Sequence, residues 1–299
     1  MRAYVAVTYP SWLQQLRAIG ANEANFWRPG AGLMRQDPGT PWIFKVKGTK
    51  LIGGYGFLTY QTVMPVGVAW ETFGTANGVG SYAEMLKVLT LLGGARRDED
   101  AVGCIVLSDL FTLPQDSYIE MPSDWSQHTQ QGKYYDLTVG EGARIWTQLT
   151  VSSAPAVTVS PLVEVPGGYG VPVLHTPRRG QGAFRLMVMD AYQRRCAITG
   201  EKTLPALEAA HIRPFNQAVS HNVANGILLR SDVHKLFDQG YVTVTPDYKF
   251  RVSPRIRDQF HNGLIYYDLH ERPIRLPEAT EQQPDTAALE WHSSQIYRE

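Results

Sequence analysis

Leu207-Glu-Ala-Ala-His-Ile212 and Asn225-Gly-Ile-Leu-Leu-Arg-Ser-Asp-Val-His-Lys-Leu-Phe-Asp238 decide how the C-terminal half of this chain is read. The first reads as a strand ending at His211; the second, after a polar loop, reaches a short helix that Ser231 can cap and that Gly240 stops. Thirteen residues separate His211 from Asn225, and eight more separate Asn225 from His234, which distributes the three over a strand end, a loop and a helix. A neutral imidazole at a strand end can take a proton from water when its other nitrogen is fixed by a backbone or Asn oxygen. On the helix, His234 and Asp238 stand at i and i+4 and share a face, while Val233, Leu236 and Phe237 fill the core side. Two ligands on one helical face make half a metal site. This spacing predicts that His211 activates a water while a divalent ion sits against a scissile phosphate, so that the reaction is phosphodiester hydrolysis.

The flanking sequence supports a separate module. Phe184, Met187, Val188 and Ala191 recur at i, i+3, i+4 and i+7, predicting a helix from Gly182 to Arg194-Arg195. Cys196-Ala-Ile198, Thr199-Gly-Glu-Lys202 and Ala206–Ile212 read as strand, turn and strand, and Tyr241–Thr245 with Phe250–Val252 reads as a hairpin. Residues 178 to 235 carry nine basic residues against four acidic ones, a net of +5 that suits a polyanion.

The whole chain has 299 residues, 28 Lys plus Arg and 28 Asp plus Glu, so the charge is neutral overall and polarised locally. Its 43% apolar share, with 27 Gly and 19 Pro, excludes a collagen, a coiled coil or a disordered chain. Two cysteines, Cys104 and Cys196, exclude a disulfide framework and a four-Cys zinc site. No apolar run is long enough for a bilayer and the start shows no signal pattern, so a cytoplasmic protein is expected. Residues 1 to about 150 read as short, Gly-punctuated strands (Ala3–Val7, Trp42–Lys47, Leu51–Thr59, Gly103–Leu110, Arg144–Val151) with helices at Pro10–Ile19 and Ser81–Leu91. That pattern predicts a small, mostly antiparallel barrel. Composition then shifts to Pro, Gly, Val and Ser. The domains expected are therefore 1–152, a linker at 153–177, and 178–299.

The C-terminal motifs, with Arg179-Gly-Gln-Gly-Ala-Phe-Arg185 before them, resemble the HNH endonuclease family with its ββα-metal fold, over roughly residues 178 to 255. The resemblance implies that His211 is the general base, that Asn225 pins the loop beside it, and that His234 is a metal ligand. Many members carry a second ligand just before the base; here that residue is Ala210, and Asp238 and then Glu208 are the replacements. The implied cofactor is a divalent ion, Mg²⁺ or else Mn²⁺, Ni²⁺ or Co²⁺. Arg178, Arg179, Arg185, Arg213, Arg230 and Lys235 would hold flanking phosphates of double-stranded DNA without reading sequence.

In the first half, Asn25-Phe-Trp-Arg-Pro-Gly30, Trp42-Ile-Phe-Lys-Val-Lys47, Leu51-Ile-Gly-Gly-Tyr-Gly-Phe57 and Ala69-Trp-Glu-Thr-Phe-Gly74 resemble the PUA-like superfamily of EVE, ASCH and SRA modules. The fold class implied is α+β, a PUA-like barrel with flanking helices followed by the ββα module. Several members of that superfamily accept a flipped, modified base, which needs aromatic planes and polar edges. Asn25, Trp27, Trp42, Tyr55, Trp70 and Asn77 are the candidate pocket. The combination is similar to a modification-dependent restriction endonuclease directed to modified cytosine, and double-strand cutting by one site per chain predicts a homodimer. Two alternatives stay open: an HNH nuclease indifferent to base modification, and a non-catalytic DNA-binding sensor.

Overall fold

The computed structural model describes residues 1–126, 128–129, 131–153, 180–214 and 222–299. They fall into two compact units, Met1–Arg179 and Gly180–Glu299. The segment read as a linker lies outside the described residues beyond Ser153, as do Arg178 and Arg179. Among the described residues no helix is long and apolar enough to cross a membrane.

Unit 1 contains β1 (Arg2–Thr8), α1 (Pro10–Ala18), β2 (Glu23–Pro29), β3 (Pro41–Val46), β4 (Leu51–Pro65), α2 (Val66–Phe73), α3 (Tyr82–Leu91), β5 (Ala101–Thr112), β6 (Ile119–Glu120), β7 (Gly132–Asp136) and α4 (Gly140–Ser153). The sheet runs β2-β5-β4-β3-β1-β7, with β6 on β4. Strand β3 is buried along its whole length and its side chains alternate between two cores. Trp42 and Phe44 pack with Trp12, Leu13 and Leu16 of α1, and Ile43 packs with Ile145 and Leu149 of α4. Each such buried side chain contributes about 1.5–3 kcal/mol, so the two helices are held by opposite faces of one sheet. Register shifts at Tyr55/Phe57 and Leu58/Tyr60 bend β4. The bend requires glycine at 54, where φ is +152° and a Cβ would stand 2.1 Å from the Phe111 carbonyl oxygen.

Three features differ from the sequence expectation. Among the described residues the sheet is open, because no pairing joins β2 to β7, and β1 pairs β3 in parallel. Residues 144–151, expected as a strand from their aromatic and β-branched content, lie in α4, since Ile145 and Leu149 are buried at helical spacing. Helix α2 and strand β2 arise where no element is expected, only aromatic motifs.

Unit 2 contains α5 (Gln181–Ala191), β8 (Leu207–His211), β9 (Gly226–Arg230), α6 (Ser231–Asp238), β10 (Val242–Val244), β11 (Phe250–Val252), α7 (Arg255–Phe260), α8 (Leu264–Tyr267) and α9 (Thr286–Gln295). Strands β8 and β9 form one antiparallel ribbon, and β10 and β11 form another. The strand expected over 196–198 does not form; residues 197–199 make a turn. The backbone of Ala197 is nonetheless bonded on both sides, its N–H donating to Leu228 (2.7 Å) and its carbonyl accepting from Arg275 N–H (2.8 Å).

Candidate active site

The β8–β9 ribbon aligns His211 with Gly226 and Glu208 with Leu229. Asn225 closes the loop between the strands. Its buried side-chain amide accepts from the Arg213 N–H (3.0 Å) and donates to the Arg213 carbonyl (3.1 Å), while its own carbonyl accepts from Ile212 N–H (2.9 Å). These three bonds fix the two residues that follow His211, and so fix the direction in which the strand delivers that imidazole.

His211 stacks on Phe184 of α5, with ring centroids 3.9 Å apart and planes 9° from parallel. Gly226 is required opposite: a Cβ there would lie 2.8 Å from Phe184 Cζ and 2.5 Å from Val188 Cγ2. The sequence reading placed Phe184 among core positions only. Its helical spacing carries no sign that one of its ring faces is used by His211.

Helix α6 buries Val233 and Phe237, which turns His234 and Asp238 the other way. His234 Nδ1 lies 2.6 Å from Glu208 Oε2, and its Nε2 lies 3.4 Å from Asp238 Oδ2. The structure therefore gathers all three residues named as ligands, in an arrangement different from the one expected. The two carboxylates occupy opposite nitrogens of one ring, and a single ion can use only one of those nitrogens. Among the described residues no three His, Cys, Asp or Glu side chains converge as a metal site. Donor chemistry nonetheless fits a divalent cation on the Nε2 side, because a ligating imidazole commonly donates its other N–H to a carboxylate that fixes the ring, as Glu208 is placed to do.

Strand parity separates the two imidazoles. Glu208 and Ala210 face α6, whereas His211, three residues after Glu208, faces α5. The two rings thus approach the end of β8 from its two faces.

The cations divide by whether their charge is committed. Arg230 makes a bidentate pair with Asp232 (2.6 and 2.8 Å), whose carboxyl is held down at about 2 chiefly by that pairing. Arg213 donates to the Ala287 carbonyl (2.6 Å) and lies over Trp291. Arg185 is half-buried in α5. Lys235 is exposed on α6 and forms no ion pair among the described residues, which leaves its charge for a ligand.

In unit 1 the six candidate pocket residues do not share a pocket. Trp42 is fully buried with Tyr4 and Phe44, and its Nε1 donates to Gln36. Tyr55 lies on the opposite face of the sheet, against Phe111 and Trp146. Trp70 packs near Tyr82. Asn25, Asn77 and Trp27 do meet, but as a buried network: Asn25 Nδ2 donates to Asn77 Oδ1 (2.9 Å), and Trp27 Nε1 donates to the Asn77 carbonyl (2.8 Å). Aromatic and amide content could not distinguish this packing from a binding pocket.

With this geometry in place the motif can be matched to known proteins. Residues 196–245 match the HNH endonuclease family. The match spans the β8–β9 ribbon, α6 and the turn before them. No curated protein matches the chain. Among solved structures, ASCH from Zymomonas mobilis is 13% identical with a TM-score of 0.32, covering 50% of this chain and 94% of that one. A mutant form of that protein is 10% identical with a TM-score of 0.35, covering 49% and 97%. A modification-dependent restriction endonuclease, TagI, is 14% identical with a TM-score of 0.31, covering 93% of this chain and 76% of that one.

Proposed function

We propose that this chain is a metal-dependent DNA endonuclease in which unit 2 hydrolyses phosphodiester bonds and unit 1 directs it to DNA carrying modified cytosine. The observation that carries the nuclease reading is the HNH endonuclease match over a ribbon–helix motif that presents His211 at a strand end and His234 with two carboxylates beside it. His211 accepts a proton from the attacking water, its ring held by the Phe184 stack and its backbone by Asn225. His234 Nε2 and Asp238 are the residues that would hold the ion, and Glu208 orients the ring from Nδ1. When bound, the ion supplies charge stabilisation for the phosphoryl oxygens. Lys235 meets a neighbouring phosphate. The modified-cytosine reading rests on the motifs of unit 1 that resemble PUA-like modules, and the net charge of residues 1–150, twelve basic against thirteen acidic, suits selection more than electrostatic affinity. One site cuts one strand, so two copies acting together would produce a double-strand break.

One digest panel tests the reading: duplexes containing cytosine, 5-methylcytosine, 5-hydroxymethylcytosine or glucosylated cytosine, each with Mg²⁺, Mn²⁺, Ni²⁺ or Co²⁺. Cleavage of at least one modified duplex, with the unmodified duplex intact, is the expected result. Equal cutting of all four would leave a nuclease indifferent to modification. A second reading, a DNA-binding sensor without activity, is favoured by Ala210 and by the lack of a three-residue ion site among the described residues; it predicts no cutting in any lane.

A further inference from the structure

Two guanidinium groups of unit 2 stand outside the motif described above. Arg272 and Arg275 line a cavity of about 320 Å³ between the 197–200 turn and the 269–275 segment. Both side chains are exposed, and neither forms an ion pair or side-chain hydrogen bond among the described residues. Of the acids beside these segments in sequence, only Glu271 is in an ion pair with an arginine, and Asp268 has no side-chain partner among the described residues. Glu271 pairs with Arg251 (3.1 Å), Glu278 accepts from Gln193, and Glu201 accepts from the Lys202 and Thr203 N–H groups and from the Thr203 hydroxyl. Gly200, at φ +73°, lets the chain turn where a Cβ would stand 3.6 Å from Arg275 Nε. Thr199 Oγ1 accepts from the Glu201 N–H (3.3 Å), and its hydroxyl proton has no acceptor among the described residues. Two guanidinium groups outside any ion pair among the described residues and a hydroxyl donor, around one open cavity, match the tetrahedral, multiply accepting oxygens of a phosphate.

The position of the cavity says which phosphate. Ala197 is bonded to Leu228 of β9 on one side and to Arg275 on the other. The cavity is therefore held on the edge of β9 opposite β8, about 10 Å from β8 at ordinary strand spacing. A phosphate held there is therefore not the one at the end of β8 but one beside it on the backbone.

We infer that the Arg272–Arg275 cavity is a phosphate subsite that takes a DNA backbone phosphate flanking the one being cut. This rests on the nuclease reading. It also moves part of the DNA footprint outside residues 178–235, where the local charge excess lies and where Arg213 and Arg230 are committed to protein partners.

The test uses the full chain carrying His211→Ala, so that binding is measured without cutting, with and without Arg272→Gln plus Arg275→Gln. Fluorescence anisotropy with unmodified, 5-methylcytosine and 5-hydroxymethylcytosine duplexes is followed across about 50 to 200 mM salt. The double substitution is expected to weaken binding at least tenfold at the lowest salt and to reduce the slope of log affinity against log salt by about 2, with an unchanged melting temperature. Arg272→Lys plus Arg275→Lys is expected to keep the slope while losing affinity, because charge survives and the guanidinium fork does not; this pair gives a reading even if the Gln pair folds poorly. An unchanged slope and affinity in the folded Gln variant overturn the subsite. Inorganic phosphate is the other arm. If it stabilises the parent and not the Gln variant while the duplex slope is unchanged, the cavity takes free phosphate and the DNA assignment is wrong. Should the parent bind no duplex at all, the nuclease reading fails, and the subsite falls with it.

Discussion

Replacing His211 with alanine is expected to lower single-turnover DNA cleavage by about 10²- to 10⁴-fold, the usual contribution of a positioned general base, while leaving duplex affinity within about twofold. The ring touches Phe184 and sits at the end of β8, so its loss exposes part of an aromatic face without cutting into the ribbon's hydrogen bonds. A modest fall in melting temperature is compatible with the role assigned; a fall in cleavage that merely tracks unfolding is not. The two are separated by measuring cleavage well below the melting transition, with anisotropy on the same sample. Cleavage at the wild-type rate would remove His211 from the chemistry. Because His211 and His234 flank the strand end from opposite faces, His234→Ala is also expected to abolish binding of the divalent ion, which His211→Ala leaves intact.

The second large effect is on stability. His292 of α9 is 2% exposed, stacks on Phe237 at 3.7 Å, receives a hydrogen bond from Thr243 Oγ1 at Nδ1 (2.8 Å), and donates from Nε2 to the Phe237 carbonyl (3.1 Å). Those partners define a neutral tautomer, and burial lowers its pKa to about 4. An unfolded histidine titrates near 6.5, so between pH 6.5 and 4 the unfolded chain binds a proton that the folded chain refuses. Stability is complete above 6.5 and declines as pH falls through that window, by about 3 kcal/mol for a shift of this size. Urea unfolding of the chain at pH 7 and at pH 4.5 is expected to show this loss in the transition of unit 2. In His292→Gln the protein should be less stable at pH 7, with that increment of pH dependence gone. An undiminished pH dependence in the variant would assign the effect to other groups. The Arg230–Asp232 pair acts in a lower window: its carboxyl is depressed, so its contribution is present above pH about 4 and is lost as pH falls through about 2.

How much of this could be read from residues alone depends on what each pattern constrains. The places of Asn225 and His234 were legible because a strand end, a loop and a helix impose fixed spacings on them, whereas the loop-pinning role of Asn225, which bonds both backbone groups of Arg213, was implied by the family resemblance. Separation of the two imidazoles is legible in the same way: Glu208 and His211 differ by three along one strand, which places them on opposite faces. The opposed carboxylates on His234 were not, since spacing locates a side chain on a face but not on a particular ring nitrogen. In unit 1, Trp42 and Tyr55 belong to different cores because β3 and β4 pair with Ile43 opposite Tyr55, a register that no property of either residue announces. The helix over 144–151 was hidden by β-branched and aromatic residues whose propensity was overridden by burial of Ile145 and Leu149. Arg272 and Arg275 carry no local signal, because their surroundings are assembled from two distant segments, the 197–200 turn and the 269–275 segment.

The central claim is that the motif of residues 196–245 performs ion-dependent phosphodiester hydrolysis. It is tested most directly by incubating the full chain with DNA carrying modified cytosine, once with a divalent ion and once with excess EDTA, and resolving the strands on a denaturing gel. The account predicts new 5′-phosphorylated or 3′-phosphorylated ends with the ion, none with EDTA, and none with His234→Ala in either. Intact strands under every ion, or cutting that persists undiminished in EDTA, would contradict it.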